Sequence, residues 1–364
     1  MRVGVLFGGS SVEHDISLVT ASQIMASLEG EEYEVIPLYL QKNGKIVMSE
    51  KFLSQKDLKA KRIKFSESDE KRFKGKIWAN FKEKKRVDVI LPAIHGKFLE
   101  GGEIYGMCKT MHIPYAFSSC LASSISQSKI FTKKLCKMLG LNCLDYVSFS
   151  KREFYDKKDD FIEKINKIGY PLIIKANELG SSIGLYLANN EFEAINGIEK
   201  AFLYDDKVLV EKKIGNFLEL NCAYLKTYDK EIISCVDEVK NESEIYSFEK
   251  KYEKNRLKHI IPAGISKELE DEIKLTTKKV IDEIDGYGVL RVDYMYDLDH
   301  NCLYLNEINS IPGAYAYYLF EEQGIYFDEL LDYLIEGAIK RHYIEEKLES
   351  KYQSNVLEIG ENKA

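Results

Sequence analysis

Arg291, Asp293, Glu307 and Asn309 are the residues whose types and spacing most directly point to chemistry in this sequence. They lie on two apolar stretches, 288–296 and 302–308, joined by the turn-like Asp297-Leu298-Asp299-His300-Asn301. A hairpin centred on residue 299 sets Asp293 opposite Leu305 and Arg291 opposite Glu307. Side chains alternate along a strand, so Arg291 and Asp293 share a face, as do Glu307 and Asn309. Three hard oxygen donors beside one guanidinium suit Mg²⁺ held against nucleotide phosphates. The arginine can balance negative charge that develops during a reaction. An ordinary cross-strand salt bridge between Arg291 and Glu307 accounts for the same patch equally well.

Weaker signals surround this one. Asn309-Ser310-Ile311-Pro312-Gly313 is a turn whose glycine lets a ligand approach its N–H, although alone it is only a turn. Leu179-Gly180-Ser181-Ser182-Ile183-Gly184 lies between two apolar strands, and its amides can fold over phosphates. No GK[ST] follows, so it is not a Walker loop, and a plain hairpin turn also explains it. Lys129 and Lys175 flank apolar runs and can meet phosphate or merely extend to solvent. The loop Gly8-Gly9-Ser10-Ser11-Val12-Glu13-His14-Asp15 enters a helix, whose N-terminus attracts anions. Glu13 there can hold a cationic substrate group, or simply complement the helix dipole.

The elements that must position these residues read as follows. Apolar strands at 3–7, 34–40 and 87–94 alternate with helices from the first glycine loop to Leu28 and from 103 to about 112. That alternation predicts a parallel α/β unit over 1–117. A helix over 123–139, strands near Tyr146, at 170–175, at 185–187 and at 207–211, a charged helix from Lys151 and another over 191–203 make an α+β unit. Strands at 218–225 and 231–236, a Lys/Glu/Tyr-rich loop over 241–259 and a helix over 267–284 precede the final hairpin. The expected division is 1–117, 118–211, 212–345 and a polar tail 346–364.

Composition narrows the function class. With 364 residues the chain exceeds one ordinary core. A net charge of −7 argues against nucleic-acid binding as the main business, and no run approaches a membrane span. The stretch 51–86 departs from this, with 14 Lys or Arg against 5 Asp or Glu, but has no nucleic-acid-binding signature and reads as a solvated face. The apolar run 3–7 is too short for a secretion signal, so a cytoplasmic protein is expected. The seven cysteines are odd in number and contain no CxxC, so seven buried or half-buried thiols are expected rather than disulfides or zinc. The first loop fails the GxGxxG spacing, which sets aside a dinucleotide-dependent oxidoreductase.

In combination these stretches resemble the D-alanine–D-alanine ligase family of ATP-grasp enzymes. FGGSSVEHDISL (7–18), PAIHG (92–96), EGGEIYG (100–106), YPLIIKANELGSSIGL (170–185), VLVEK (208–212), FEKKY (248–252), IIPAG (260–264), GVLRVDYMYD (288–297) and LNEINSIPG (305–313) carry the resemblance. It covers nearly the whole chain, and the order of motifs makes it specific.

The resemblance implies an N-terminal parallel α/β domain followed by a two-subdomain ATP-grasp fold. It implies ATP-dependent joining of two D-alanines through an acyl phosphate, for peptidoglycan synthesis. Two Mg²⁺ ions, with Mn²⁺ as an alternative, and a homodimer are implied too. Residue by residue, Glu13 matches the glutamate for the first D-alanine's ammonium, with Ser181 and Tyr252 linked to it and His95 nearby. Lys129, Lys175, Ser181, Ser182 and Lys251 match the phosphate-binding set, and Glu211, Lys212 and Ile214 the adenine hinge. Glu219 matches the ribose-binding acid with one extra residue of spacing, and Asn306 joins the ATP set. Asp293, Glu307 and Asn309 match the metal ligands; Arg291 and the Gly313 amide match the oxyanion site.

There are departures. Glu100-Gly101-Gly102-Glu103 lacks the aspartate usual in the family's GEDG, and Ala116-Phe117-Ser118-Ser119 replaces a glycine-containing turn. Tyr318 stands where a serine often meets the second substrate, so related ligases using D-lactate or D-serine stay in view. Lys251-Tyr252 argues against the D-lactate branch.

Overall fold

The computed structural model describes residues 1–30, 32–48, 87–181, 183–240 and 258–349. The lysine-rich stretch 51–86, the loop 241–257 with Lys251 and Tyr252, Ser182, and the tail from 350 lie outside the described residues.

Parallel pairing begins at once, because the first strands are nearly continuous apolar runs that must be covered on both faces. β1 (Arg2–Gly8) lies between β2 (Glu34–Leu40) and β4 (Val89–Ala93), parallel to both, with β3 (Ile46–Met48) added antiparallel at the edge of β2. β3 was not expected. It follows the Lys42-Asn43-Gly44 turn and is three residues long, too short for a readable period. Helices α1 (His14–Ser27) and α2 (Glu103–Thr110) follow the two glycine loops.

The helix expected over 123–139 is two helices, α3 (Cys120–Gln127) and α4 (Lys129–Leu139). Ser128 separates them in extended conformation, and its hydroxyl accepts from Phe131 N at 3.3 Å as the N-cap of α4. The break aims the start of α4 at the loop after the strand Leu172–Ala176, where Ile130 N donates to Asn177 Oδ1 at 3.0 Å.

The second sheet joins β5 (Tyr146–Ser150), β6 (Leu172–Ala176), β7 (Leu185–Ala188) and β8 (Lys207–Lys212) in the order β5-β8-β6-β7, all antiparallel. Helices α5 (Lys151–Asp156), α6 (Lys158–Ile168) and α7 (Glu191–Ala201) accompany it, and Phe149, Phe154, Ile174, Ile198 and Val210 fill the core. The charged helix expected from Lys151 is thus two, α5 beginning at a capping box of Ser150 with Glu153.

The third sheet is antiparallel throughout: β9 (Phe217–Lys226), β10 (Glu231–Lys240), β11 (Lys258–Ile260), β12 (Gly288–Asp297) and β13 (Cys302–Asn309), in the order β11-β10-β9-β12-β13. α8 (Lys267–Glu283) and α4 bury Ile273, Val280, Leu135 and Cys136 against it. The last helix, α9 (Phe327–Glu345), sends Leu330, Leu331, Leu334 and Ile335 into the same core as Val5, Leu6 and Phe7. The two ends of the chain therefore share one core, which local patterning does not reveal.

All seven cysteines are free, and six are buried or half-buried as expected. Cys120 is exposed, because it starts α3 at the surface; its thiol reaches Gly102 O at 3.1 Å. Gly102 caps α2 at φ +105°, and a Cβ there would stand 2.5 Å from Cys120 Cα and 3.0 Å from Cys120 O. Backbone on both sides cannot yield. Gly102→Ala is therefore expected to cost about 2–4 kcal/mol, from positive-φ strain plus overpacking. Denaturant titration checks this: a midpoint equal to the parent's would contradict the close approach.

Candidate active site

β12 and β13 carry the expected polar patch in a different register. Asp293 pairs with Glu307 and Arg291 with Asn309, not Leu305 and Glu307 as a symmetric turn predicts. An irregularity between Asp293 and Tyr294 shifts the ladder and brings the two carboxylates directly across from each other. Arg291 also takes a different partner from the one expected. It grips Asp293 along its own strand, Nε to Oδ1 at 2.6 Å and Nη2 to Oδ2 at 2.8 Å. Glu307 pairs with Lys129 at 3.3 Å. Asn309 Nδ2 donates to Asp293 Oδ2 at 3.0 Å. The polar row continues across the sheet, with Asn221 of β9 in register between Asp293 and Asp237.

The loop between β6 and β7 is indeed a hairpin connection, and it also reaches the N-terminal loop. Ser181, at a left-handed φ of 53°, donates to Glu13 Oε1 at 2.5 Å. Glu13 occupies the N-cap position of α1 but makes no side-chain cap bond. Its own amide is held by Ser11 Oγ at 2.9 Å, and Ser11 Oγ donates to His95 O at 2.6 Å. Burial raises the Glu13 pKa; Ser181 and Lys129 pull it down, and Glu307 pushes it up. Any Cβ at Gly180 would lie 3.0 Å from Glu13 Oε1, so glycine is what lets the loop approach.

Glu211 is a buried acid flanked by two lysines. Burial alone would raise its pKa, but Lys133 at 3.0 Å and Lys175 overcome this and hold it at about 2. Lys175 also donates to Asn306 Oδ1 at 3.0 Å, and Lys129 to Leu179 O at 2.5 Å. A cleft of about 890 Å³ opens between the second and third sheets. Lys129, Lys175, Ser181, Glu211, Lys212, Ile214, Glu219, Asn306 and Glu307 all border it. The ammonium of Lys212 is tied to Gly169 O and Tyr170 O, each at 3.0 Å. Leu144, Ile173 and Met295 supply apolar walls suited to a flat heterocycle; nothing in the sequence marked them.

A smaller cavity of about 180 Å³ adjoins it, sharing Lys129, Gly180, Ser181 and Glu307. Glu13, His95, Glu100, Arg291, Asn309 and Gly313 are also in its wall. After Gly313 the chain makes a left-handed turn through Ala314, Tyr315 and Ala316, with φ of 46°, 56° and 50°. Burial of all three and the Tyr315 hydroxyl donating to Pro92 O at 3.0 Å hold that strain. Tyr318 borders neither cavity. Its phenol meets Arg291, and its ring lies 5.2 Å from His259, itself 2.7 Å from Asp237.

Two further groups escaped the sequence reading. Lys133 lies in the helix expected over 123–139, and nothing in the sequence singles it out. Glu100 was read only as part of a helix-opening loop. It accepts from Gly96 N and Ile311 N, each at 3.1 Å, and burial, then Glu13, lift its pKa to about 7. The oxygen donors Asp293, Glu307 and Asn309 are hard and suit a divalent cation completed by phosphate oxygens. Among the described residues, no cluster of three His, Cys, Asp or Glu forms a self-sufficient metal cage.

Comparison with known proteins gives a uniform result. Residues 2–118 match the family model "D-ala D-ala ligase N-terminus" and residues 135–336 "D-ala D-ala ligase C-terminus". A D-alanine–D-alanine ligase of Caldicellulosiruptor bescii is 36% identical over 353 residues, covering 94% of this chain and 96% of that one. One from Thermosipho africanus is 34% identical, covering 93% and 94%. Among solved structures, the D-alanine–D-alanine ligase of Coxiella burnetii superposes with a TM-score of 0.77 at 24% identity, covering 96% and 98%. The VanG D-Ala:D-Ser ligase of Enterococcus faecalis gives 0.76 at 26%, covering 93% and 99%.

The paired shifts of His95 and Glu100 make stability depend on pH in opposite senses. Burial lowers the His95 pKa from 6.5 to about 4, so its contribution is complete above pH 6.5 and is lost as pH falls towards 4. Glu100, raised from 4.5 to about 7, contributes below pH 4.5 and loses that contribution as pH rises through 7. In His95→Gln the rise is removed and the fall remains. Its thermal midpoint should drop relative to the parent's between pH 4.5 and 6.5, by the equivalent of about 3 kcal/mol at most. Parallel midpoint profiles for the two proteins would contradict a neutral buried His95.

Proposed function

The chain belongs to the D-alanine–D-alanine ligase family, and from that premise we propose how its residues divide the work of the reaction. It is an ATP-dependent ligase of ATP-grasp fold that joins two D-alanines into D-alanyl-D-alanine for peptidoglycan precursor synthesis. A carboxylate is a poor acylating agent. ATP gives its γ-phosphoryl group to the first D-alanine's carboxylate, leaving ADP and an acyl phosphate, whose carbonyl the second D-alanine's amine attacks with loss of phosphate.

The division of labour rests chiefly on the meeting of two cavities at Lys129, Ser181 and Glu307. The adenine lies against Leu144, Ile173 and Met295, beside Glu211, Lys212 and Ile214, and the ribose meets Glu219. Lys129, Lys175 and the amides of the Ser181–Ser182 loop take the phosphates, with Lys251 at the γ-phosphate. Glu13 holds the first D-alanine's ammonium, with Ser181, Tyr252 and His95 around it. Arg291 and the Gly313 N–H receive the tetrahedral oxyanion. Tyr318 acts on the second-substrate side through Arg291 rather than by direct contact. Ser182, Lys251 and Tyr252 lie outside the described residues, so their roles rest on the family alone.

Asp293, Glu307 and Asn309 would hold two Mg²⁺, or Mn²⁺. Their chemistry fits: Asp293 and Glu307 stand opposite each other across a ladder, with the Asn309 amide hydrogen-bonded to Asp293 beside them. When bound, the ions neutralise charge on the transferred phosphoryl group. We read 1–117 as the substrate domain, 118–211 and 212–345 as the two ATP-grasp subdomains, and 346–364 as a tail. Three separate sheets support that division. A homodimer in the cytoplasm is the proposed working form. ATP supply supports the compartment, and among the described residues no helix is long and apolar enough to cross a membrane.

ADP release with ATP and Mg²⁺ tests the reading, comparing D-alanine, L-alanine, and D-alanine mixed with D-lactate or D-serine, with products identified by mass. Dipeptide from D-alanine alone is expected. Turnover only with a mixture would reassign the second substrate. Arg291→Lys should lower kcat by on the order of 100-fold with little change in the KM for ATP. Near-parental kcat would remove Arg291 from the oxyanion site.

A further inference from the structure

Lys97 follows His95-Gly96 in the loop after β4, within the parallel α/β unit. Its ammonium leaves that unit and meets two carboxylates of the second sheet's unit: Asp205 Oδ1 at 2.9 Å and Glu178 Oε2 at 3.3 Å. The Asp205 side chain is fully buried, while that of Lys97 is 16% exposed. Asp205 is itself fixed, accepting from Glu178 N at 2.9 Å and Lys207 N at 3.2 Å. Glu178 borders the smaller cavity and directly precedes Leu179-Gly180-Ser181. Burial opposes the charge of Lys97, but the two acids more than compensate and raise its pKa above the ordinary value.

Among the described residues, the glycine loop thus touches two polar side chains of the N-terminal unit. One is Glu13, which accepts from the Ser181 hydroxyl and from the Gly180 amide and must also serve the substrate. The other is Lys97, which uses no group assigned to either substrate. We propose that Lys97 is a positioning residue whose ammonium, shared by Glu178 and Asp205, docks the glycine loop on the N-terminal unit and so sets Ser181 against Glu13. The same contact neutralises Glu178 at the edge of a cavity that must accept anionic groups. Without it the loop stands away from Glu13, the first D-alanine binds more weakly, and water reaches the acyl phosphate. The inference rests on the ligase reading above.

The test uses the full chain and measures ADP and dipeptide separately. Lys97→Met should raise the KM for D-alanine about tenfold, leave the KM for ATP near the parental value, and release more ADP than dipeptide. Lys97→Arg should restore both, because a guanidinium fork can span two carboxylates. A Lys97→Met enzyme with parental KM for D-alanine and one ADP per dipeptide would overturn the proposal, even with a lowered melting midpoint, since a purely structural lysine predicts that result. If Lys97→Met does not fold, Glu178→Gln breaks half of the contact and leaves Asp205 paired. It should move KM and stoichiometry the same way by less, and parental values would again overturn the proposal. The parent enzyme separates the two failures. Dipeptide from the parent with an unaltered variant profile sinks the docking role alone, and no dipeptide from the parent sinks both.

Discussion

A carboxylate taken out of water must meet cations or N–H donors, or it takes up a proton. Glu211 shows how far that requirement organises this protein. It is held between Lys133 from α4 and Lys175 from β6, and Lys175 goes on to Asn306 of β13. One buried charge therefore couples a helix and two sheets, and it fixes the back of the large cleft. The break at Ser128 has a role in this setting. An unbroken helix from α3 would not direct the Lys133 turn of α4 toward the second sheet.

The same rule, applied less completely, shapes the smaller cavity. Glu13 has a hydroxyl, the Gly180 amide and a nearby lysine, Glu100 has two amides and the Ser310 hydroxyl, and among the described residues neither has a cation in direct contact. Their pKa values accordingly rise where that of Glu211 falls. The large cleft thus holds one firmly ionised acid, and the smaller cavity two acids whose pKa values burial raises. His95, close by, is kept neutral by burial.

Strain accompanies this arrangement. Ser181 and the run Ala314–Tyr315–Ala316 hold left-handed backbone that non-glycine residues disfavour. Ser181 lines the smaller cavity and the second run follows Gly313 of its wall, where the packing around Tyr315 over-determines it. The turn after Gly313 packs on α9, which lies against β4 and α1. The C-terminal helix thereby anchors a loop that the opposite end of the chain helps to form.

Much of this was legible in the residues themselves. Apolar runs announced β1, β2 and β4 because a doubly covered strand needs no alternation, and the glycine loops announced the helix starts. Asp293, Glu307 and Asn309 were found because alternation and a turn are local facts. The motif order pointed to the family because the same residue types recur at the same intervals. The register of β12 on β13 was not legible, since a ladder irregularity depends on packing against β9. Nor was the partner of Arg291, the pairing of Lys133 with Glu211, the reach of Lys97, or the apolar wall of the cleft. Those are contacts between segments distant in sequence, and a chain's local pattern carries no term for them. The sequence by itself determined which residues could do chemistry and which elements would carry them. Only the tertiary structure decided which charges face one another, because burial and neutralisation are settled when the sheets close together.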